Sequence, residues 1–126
     1  MRVKQSGITL LELMVVVAIV AILATIAYPS FTDGLRKSRR AEAFKGLLSM
    51  QLKQEEYRIT SGAYSTNVAD LGTPSSDYYD FAVSAANQTT YSLKATAKGA
   101  QSGDANCATL AIDKGDYKYP SNDCWK

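Results

Sequence analysis

Histidine is absent from this 126-residue chain, and proline, cysteine and tryptophan occur only three, two and one times. Without histidine the chain has no imidazole-based catalytic triad and none of the usual histidine-containing zinc sites. It also has no Cys-x-x-Cys pair, no phosphate-binding glycine loop and no nucleotide-binding fingerprint. These absences argue against an enzyme, and we predict no cofactor and no metal.

Net charge is also small. The formal net charge is +2, and Arg2 and Lys4 supply it, because the other basic and acidic side chains are equal in number. The charge balance therefore does not indicate a general polyanion-binding surface. The length allows one small domain beside any apolar segment.

One apolar stretch dominates what is present. Glu12 is the single charged residue between Ile8 and Phe31. A helix over this stretch would be roughly 35 Å long, enough to cross a hydrocarbon core of about 30 Å. Because it is apolar on all sides, it belongs in lipid or among other proteins. Three interpretations follow: a secretory signal peptide cut after Ala27, a plain membrane anchor, and a leader cut before the apolar stretch.

The junction before the stretch favours the third interpretation. The run Ser6-Gly7-Ile8-Thr9-Leu10-Leu11-Glu12 resembles the processing site of type IV prepilins. The resemblance implies that a prepilin peptidase cuts after Gly7 and N-methylates Ile8. It also implies a helix kink at Pro29. Ile8 departs from the phenylalanine or methionine that the family most often has at this position.

Glu12 is an unusual residue for such a stretch. A lone carboxylate in a membrane helix costs about 2.5–3.5 kcal/mol and is seldom kept without a partner. Cleavage after Gly7 would create a partner, the α-amine of Ile8. Between chains offset along a fibre, Glu12 of one subunit can meet that amine of its neighbour, whereas a wrong offset buries both charges unpaired. We therefore predict that Glu12 sets the register between subunits; a solvated carboxylate at the end of an anchor is the plainer alternative.

The basic residues around the stretch indicate a membrane orientation opposite to the one that the prepilin resemblance implies. Two precede it and four follow it, so a positive-inside count would place the C-terminal domain in the cytoplasm. The prepilin resemblance and the cysteines favour a periplasmic domain. The four following residues are Arg36, Lys37, Arg39 and Arg40. We expect them to contact lipid head groups or to pair between subunits with residues such as Asp33 and Glu42.

The pattern and the resemblance together predict an α+β pilin fold. A long N-terminal helix, hydrophobic in its first half and amphipathic in its second, is expected to pack on a small antiparallel sheet of three to four strands. The residues predicted to face the sheet are Ala41, Phe44, Leu48 and Leu52. Strands are predicted at Tyr78–Ser84, Thr89–Ala97 and Cys107–Asp113.

Three segments are expected: a leader (residues 1–7), a transmembrane and polymerisation helix (8–31), and a periplasmic domain (32–126). Cys107 and Cys124 lie late in that domain. Beside an export-type N-terminus they indicate one disulfide, worth roughly 3 kcal/mol. Two buried free thiols in a cytoplasmic protein are the alternative. The bridged loop is similar to the variable D-region of type IVa pilins.

The resemblance implies a structural subunit of a type IV pilus. The small size and the ending Asp-Cys-Trp-Lys are similar to PilE-like minor pilins. The implied function is pilus assembly for twitching motility, adhesion or DNA uptake. The implied partners are other pilin subunits, the prepilin peptidase and the inner-membrane assembly platform. The protein would wait in the inner membrane and then reach the pilus. The alternatives are a pilus-displayed DNA or adhesive receptor, a major pilin and a type II secretion pseudopilin.

Two residue groups are candidates for ligand contact. Lysines near tyrosines suit DNA, because cations follow phosphates while rings stack on bases. These lysines are Lys94, Lys98, Lys114 and Lys118. Asp113, Asp116 and Asp123 are similar to the calcium loop of type II secretion pseudopilins. The plainer interpretation is that the tyrosines pack the sheet on the helix and that the aspartates are solvated.

Overall fold

A computed structural model describes all residues 1–126 and divides them into two compact units, residues 1–34 and residues 35–126. One helix, α1 (Leu10–Ser61), contributes to both units. The strands are β1 (Tyr79–Ala86), β2 (Tyr91–Ala97), β3 (Thr109–Asp113) and β4 (Lys118–Tyr119). Short 3₁₀ helices occur at Val68–Leu71, Gly99–Gly103, Ala105–Cys107 and Asn122–Trp125.

The first unit is the start of α1 with the residues before it. A capping box closes the helix N-terminus. The Glu12 amide donates to Thr9 Oγ1 at 3.1 Å, and the Thr9 amide donates to the Glu12 carboxylate at 3.5 Å. The helix continues through Pro29, and the kink predicted there stays a prediction.

The apolar segment lies open along its whole length. No side chain from Ile8 to Phe31 is buried. The helix is long and apolar enough to cross a membrane, with a mean hydropathy of 2.8 over its most apolar 18 residues. Soluble proteins rarely expose so large an apolar area. Lipid or other protein surfaces must therefore cover this segment.

In the second unit, the rest of α1 packs on one face of a four-stranded antiparallel sheet in the order β1-β2-β3-β4. The core contains Leu47 and Met50 of the helix with Leu93, Leu110 and Ile112 of the sheet, all fully buried. Each such side chain contributes roughly 1.5–3 kcal/mol on burial. The predicted α+β architecture is confirmed.

The buried face of α1 is not the predicted one. Leu48 and Leu52 are exposed, as is Ala41, while Phe44 is only half-buried. The residues that are buried are Ala43, Gly46, Leu47, Met50 and Gln54. The prediction of the sheet-facing residues was therefore wrong, apart from the partial burial of Phe44.

Two residues explain why the face differs. Gly46 lies against the ring of Phe81, and a Cβ at Gly46 would be 2.3 Å from that ring. The glycine thus admits an aromatic side chain from the sheet. Gln54 is buried because its amide group pairs with Ser65, donating to the carbonyl and accepting from the amide, each at 2.8 Å. Neither residue contributes to a hydrophobic pattern.

The hairpin between β1 and β2 is shifted by two residues from its predicted position. β1 continues to Ala86 and β2 begins at Tyr91. The side-chain carbonyl of Asn87 accepts from the amides of Thr89 at 2.8 Å and Thr90 at 2.9 Å. This Asx turn holds Thr89 and Thr90 out of the strand.

The C-terminal tail is fixed at two points. Cys107 and Cys124 form the predicted disulfide, with Cα atoms 5.6 Å apart. The Trp125 ring stacks on Phe44 of α1 at 4.7 Å, and its indole N–H donates to the Tyr119 carbonyl at 2.8 Å. The tail therefore closes on the 3₁₀ helix before β3 and on α1.

Candidate functional site

No group of three or more metal-ligating side chains occurs in the structure. Asp113 accepts from the Tyr117 amide at 3.0 Å, and Asp123 pairs with Lys126 at 2.9 Å. With Asp116, these aspartates do not form the loop that a calcium ion would need.

An apolar ridge runs along α1 on the side away from the sheet. Leu48, Leu52 and Ile59 keep 53%, 62% and 85% of their surface exposed. Their spacings of four and seven place them on one helix face. We call these three residues the outer ridge. Because the opposite face of α1 is already buried on the sheet, the outer ridge is available to another molecule.

One of the four basic residues that follow the apolar stretch, Arg40, forms a buried ion pair. Both donating nitrogens of Arg40 lie 2.7 Å from the Asp104 carboxylate oxygens. The two side chains are only 16% and 8% exposed. The pairing partner of Arg40 is therefore in its own chain, 64 residues away, rather than the Asp33 or Glu42 of a neighbour that was expected. Glu42 itself accepts from the Ser76 hydroxyl.

Gln101 extends this pair into a network. Its side-chain nitrogen donates to the Tyr79 hydroxyl and to the Arg36 carbonyl, both at 3.0 Å, and lies 3.3 Å from Asp104. Burial raises the pKa of the Tyr79 hydroxyl, and the hydrogen bond to Gln101 opposes part of that rise. We call Arg40, Asp104, Gln101 and Tyr79 the buried polar network. It joins α1 to the segment between β2 and β3.

A second cluster surrounds Tyr64. Its ring meets Tyr91 edge-on at 4.8 Å, and its hydroxyl donates to the Glu55 carboxylate at 3.1 Å. Lys114 lies over the Tyr64 ring at 5.5 Å and donates to the Thr89 carbonyl at 3.2 Å. Lys114 is thus held by contacts within the domain.

Tyr91 gives a pH prediction. Burial, with the nearby charge of Glu55, raises the pKa of its hydroxyl to about 12, whereas an unfolded tyrosine titrates near pH 10. The stability that comes from keeping the Tyr91 hydroxyl protonated in the folded state is therefore fully present below pH 10 and is lost as the pH rises through 12. We expect the free energy of unfolding to fall by about 1–2 kcal/mol across that window, measured by urea unfolding. An equally large fall in Tyr91→Phe would contradict this assignment.

The structure separates the four candidate DNA lysines. Lys98 pairs with Asp80 at 2.9 Å, and Lys118 lies over the Trp125 ring at 5.7 Å. Lys114 is held as described above. Lys94 is exposed and forms no ion pair.

Lys94 lies on the sheet face away from α1. Strand register places it between Ala82 and Ala111, with Tyr119 next in the same row. The Tyr119 ring meets that of Tyr117 at 4.6 Å, and both are exposed. One unpaired cation therefore shares a face of small side chains with a pair of aromatic rings.

Three of these features were missed from the sequence. The capping role of Glu12 had a local signal, Thr9-x-x-Glu12, which is the capping-box pattern. Leu48 and Leu52 of the outer ridge were assigned to the wrong face, and Ile59 was not identified. The buried polar network had no sequence signal, because its members are far apart in the chain.

The fold and its surfaces define a pilin-type subunit, and comparison with known proteins agrees. The profile "Prokaryotic N-terminal methylation motif" matches residues 2–28. The profile "Type IV minor pilin ComP, DNA uptake sequence receptor" matches residues 29–111. The chain belongs to the type IV pilin family, whose members are structural subunits rather than enzymes.

Individual relatives give the same result. The chain is 33% identical to the fimbrial protein EcpC of Eikenella corrodens, covering 95% of this chain and 90% of that protein. It is 31% identical to the type IV major pilin protein PilA of Myxococcus xanthus over 98% of this chain, but it spans only about half (51%) of that pilin. A solved type IV pilin of Shewanella oneidensis superposes with a TM-score of 0.57 at 26% identity, covering 72% of this chain and 98% of that chain.

Proposed function

We propose that this chain is a minor pilin, built into a type IV pilus through α1 once the leader has been cut after Gly7. The observation that carries the proposal is the open apolar segment from Ile8 to Phe31, in which no side chain is buried. The outer ridge is a further exposed apolar surface, in the second unit. Lipid would cover the segment before assembly, and neighbouring helices would cover segment and ridge in the fibre. The match to a minor-pilin profile supports the minor role.

Maturation follows from the same segment. We infer that a prepilin peptidase removes residues 1–7 and methylates Ile8, in keeping with the methylation-motif match. Residues 8–31 would then hold the chain in the inner membrane, with residues 32–126 in the periplasm. The assembly platform and other pilin subunits would be its partners there. Removal of the leader takes away Arg2 and Lys4 and leaves an α-amine one helical turn from Glu12.

Mass spectrometry of the protein recovered from membranes and sheared pili tests this maturation. We expect a chain that starts at N-methylated Ile8 and carries the oxidised pair Cys107–Cys124. A Gly7→Glu variant should keep its leader and stay out of pili. A mature chain that starts at Tyr28 would instead show signal-peptide cleavage and would overturn the proposal.

A second function, DNA capture by the assembled subunit, is favoured by the description of the profile that matches residues 29–111. The sheet face around Lys94 offers a cation beside exposed rings, Tyr117 and Tyr119. A cation can pair with a phosphate, and a ring can stack on an unpaired base. Lys98, Lys114 and Lys118 would contribute less, because each already has a partner within the chain.

Fluorescence anisotropy with labelled DNA and the full chain in detergent tests this second function. Lys94→Glu is expected to weaken binding about tenfold, since it replaces a phosphate contact with repulsion. Lys98→Glu is the matched control, with the same change of charge on a lysine that Asp80 already neutralises. Equal weakening by both variants would disprove the role of Lys94, and no binding of the wild-type chain at physiological salt would remove the DNA function.

A further inference from the structure

We propose that Arg36, Lys37 and Arg39 bind the phosphate groups of anionic phospholipids while the subunit waits in the membrane. We call these three residues the basic collar. The inference rests on the proposed function, because it requires the segment that ends at Phe31 to lie in lipid. Five residues along a helix correspond to about 8 Å, so the collar begins close to the end of that segment, within reach of head groups.

The first argument is that three of the four basic residues after the apolar segment are not neutralised within the chain. Of the basic run, Arg40 pairs with Asp104 in the buried polar network. No ion pair in the structure includes Arg36, Lys37 or Arg39. Three positive charges within one helical turn thus lack a carboxylate partner. Like charges this close repel one another, so a bound anion would relieve the repulsion.

The second argument is the state of Arg39. Its guanidinium lies over the Tyr78 ring, 4.3 Å from the ring centre. Its Nε is buried and has no hydrogen-bond acceptor. The side chain is therefore held in position by stacking, and its Nε–H group lacks an acceptor. A guanidinium in this state suits phosphate, which it binds through two parallel N–H···O bonds.

The third argument is the position of Arg36. A Cβ at Gly103 would lie 2.9 Å from an Arg36 terminal nitrogen, so the glycine leaves the space that this side chain occupies. The Arg36 carbonyl accepts from Gln101 at 3.0 Å, which ties this turn of α1 to the buried polar network. Arg36 and Arg39 are three residues apart and so are neighbours on the helix surface. The collar is held by the domain rather than left on a flexible segment.

Phospholipid is a better ligand for the collar than nucleic acid because of where the collar lies in the chain. It begins five residues after the apolar segment, and each basic residue beside a membrane span raises the affinity for anionic head groups about fivefold. The exposed tyrosines that could stack on bases, Tyr117 and Tyr119, belong to the sheet face of Lys94 instead. The collar would also place anionic lipid beside the basic residues that set the positive-inside count against a periplasmic domain.

The test uses the full chain in nanodiscs of phosphatidylcholine and phosphatidylglycerol in equal amounts, with the retained lipids counted by native mass spectrometry. We expect wild type to retain phosphatidylglycerol in several-fold excess at low salt and less at 0.5 M salt. The variant R36Q/K37Q/R39Q should bring that ratio close to one. Lys37 is exposed, so Lys37→Gln should leave the fold intact and lower the ratio by a smaller factor.

The matched control is K94Q/K98Q/K118Q, which removes the same charge from residues outside the collar and should keep the wild-type ratio. Equal retention of both lipids by wild type, or equal loss in both triple variants, would overturn the collar. So would a collar variant that lost DNA affinity while keeping its lipid preference. This experiment distinguishes failure of the collar from failure of the proposed function. A chain that starts at Tyr28 would lack the apolar segment and would not be recovered in nanodiscs at all.

Discussion

Replacement of Glu12 by glutamine is expected to leave the chain cleaved, methylated and inserted in the membrane, yet to lower its incorporation into pili at least tenfold. The side chain keeps its size, but under the register hypothesis the α-amine of Ile8 in a neighbouring subunit would lose its counter-charge. Removal of one partner from a buried ion pair costs roughly 3–5 kcal/mol, because the other charge is left unpaired. Immunoblots of sheared pili against membrane fractions measure the effect.

The structure gives this experiment a sharp control, because Glu12 also belongs to the capping box with Thr9. Glu12→Gln keeps an acceptor for the cap and removes only the charge. Thr9→Ala removes a cap contact and keeps the charge, and such a loss costs about 1 kcal/mol. We expect Thr9→Ala to assemble nearly as well as wild type. The opposite result, with Thr9→Ala defective and Glu12→Gln normal, would show that the carboxylate serves the helix end rather than the register.

Replacement of Asp104 by asparagine is expected to destabilise the second unit by about 3–5 kcal/mol. The change leaves the guanidinium of Arg40 without its buried counter-charge and weakens the attachment of Gln101. Small domains have only about 5–15 kcal/mol of stability in total, so the loss should be visible as a large shift in urea midpoint. Trp125, stacked on Phe44, provides the fluorescence signal.

Two variants show whether burial causes this effect. Asp80→Asn breaks the exposed pair with Lys98 and should change stability by less than about 1 kcal/mol. The double variant R40M/D104L replaces both charges with apolar groups and should recover most of the loss. A shift for Asp104→Asn no larger than that for Asp80→Asn would contradict the assignment of a buried pair.

Local patterns were enough to predict most of this fold. The apolar stretch and the strands are encoded by residues next to one another in sequence, so periodicity identified them. The face of α1 was predicted wrongly because its second half is apolar on two sides. Leu47 and Met50 face the sheet, while Leu48 and Leu52 form part of the outer ridge. The close approach of Phe81 to Gly46 decides between the sides, and that contact is long-range.

The candidate surfaces were less predictable than the fold. Charge and residue type identified Lys94, Lys98, Lys114 and Lys118 as one group, but the structure gives three of them partners within the chain. The pairing of Arg40 with Asp104 depends on a separation of 64 residues. Such a partner can be identified only from the folded structure, and not from the sequence.

The double attachment of the tail has an evolutionary consequence. Cys107–Cys124 closes a loop, and Trp125 on Phe44 fastens its far end to α1. Residues between these attachments, above all the turn 115–117 between β3 and β4, can be lengthened or exchanged. Doubling a flexible loop costs only about 0.6 kcal/mol of closure entropy. The chain can therefore acquire a new surface chemistry there while the helix and the core that hold the subunit together stay unchanged.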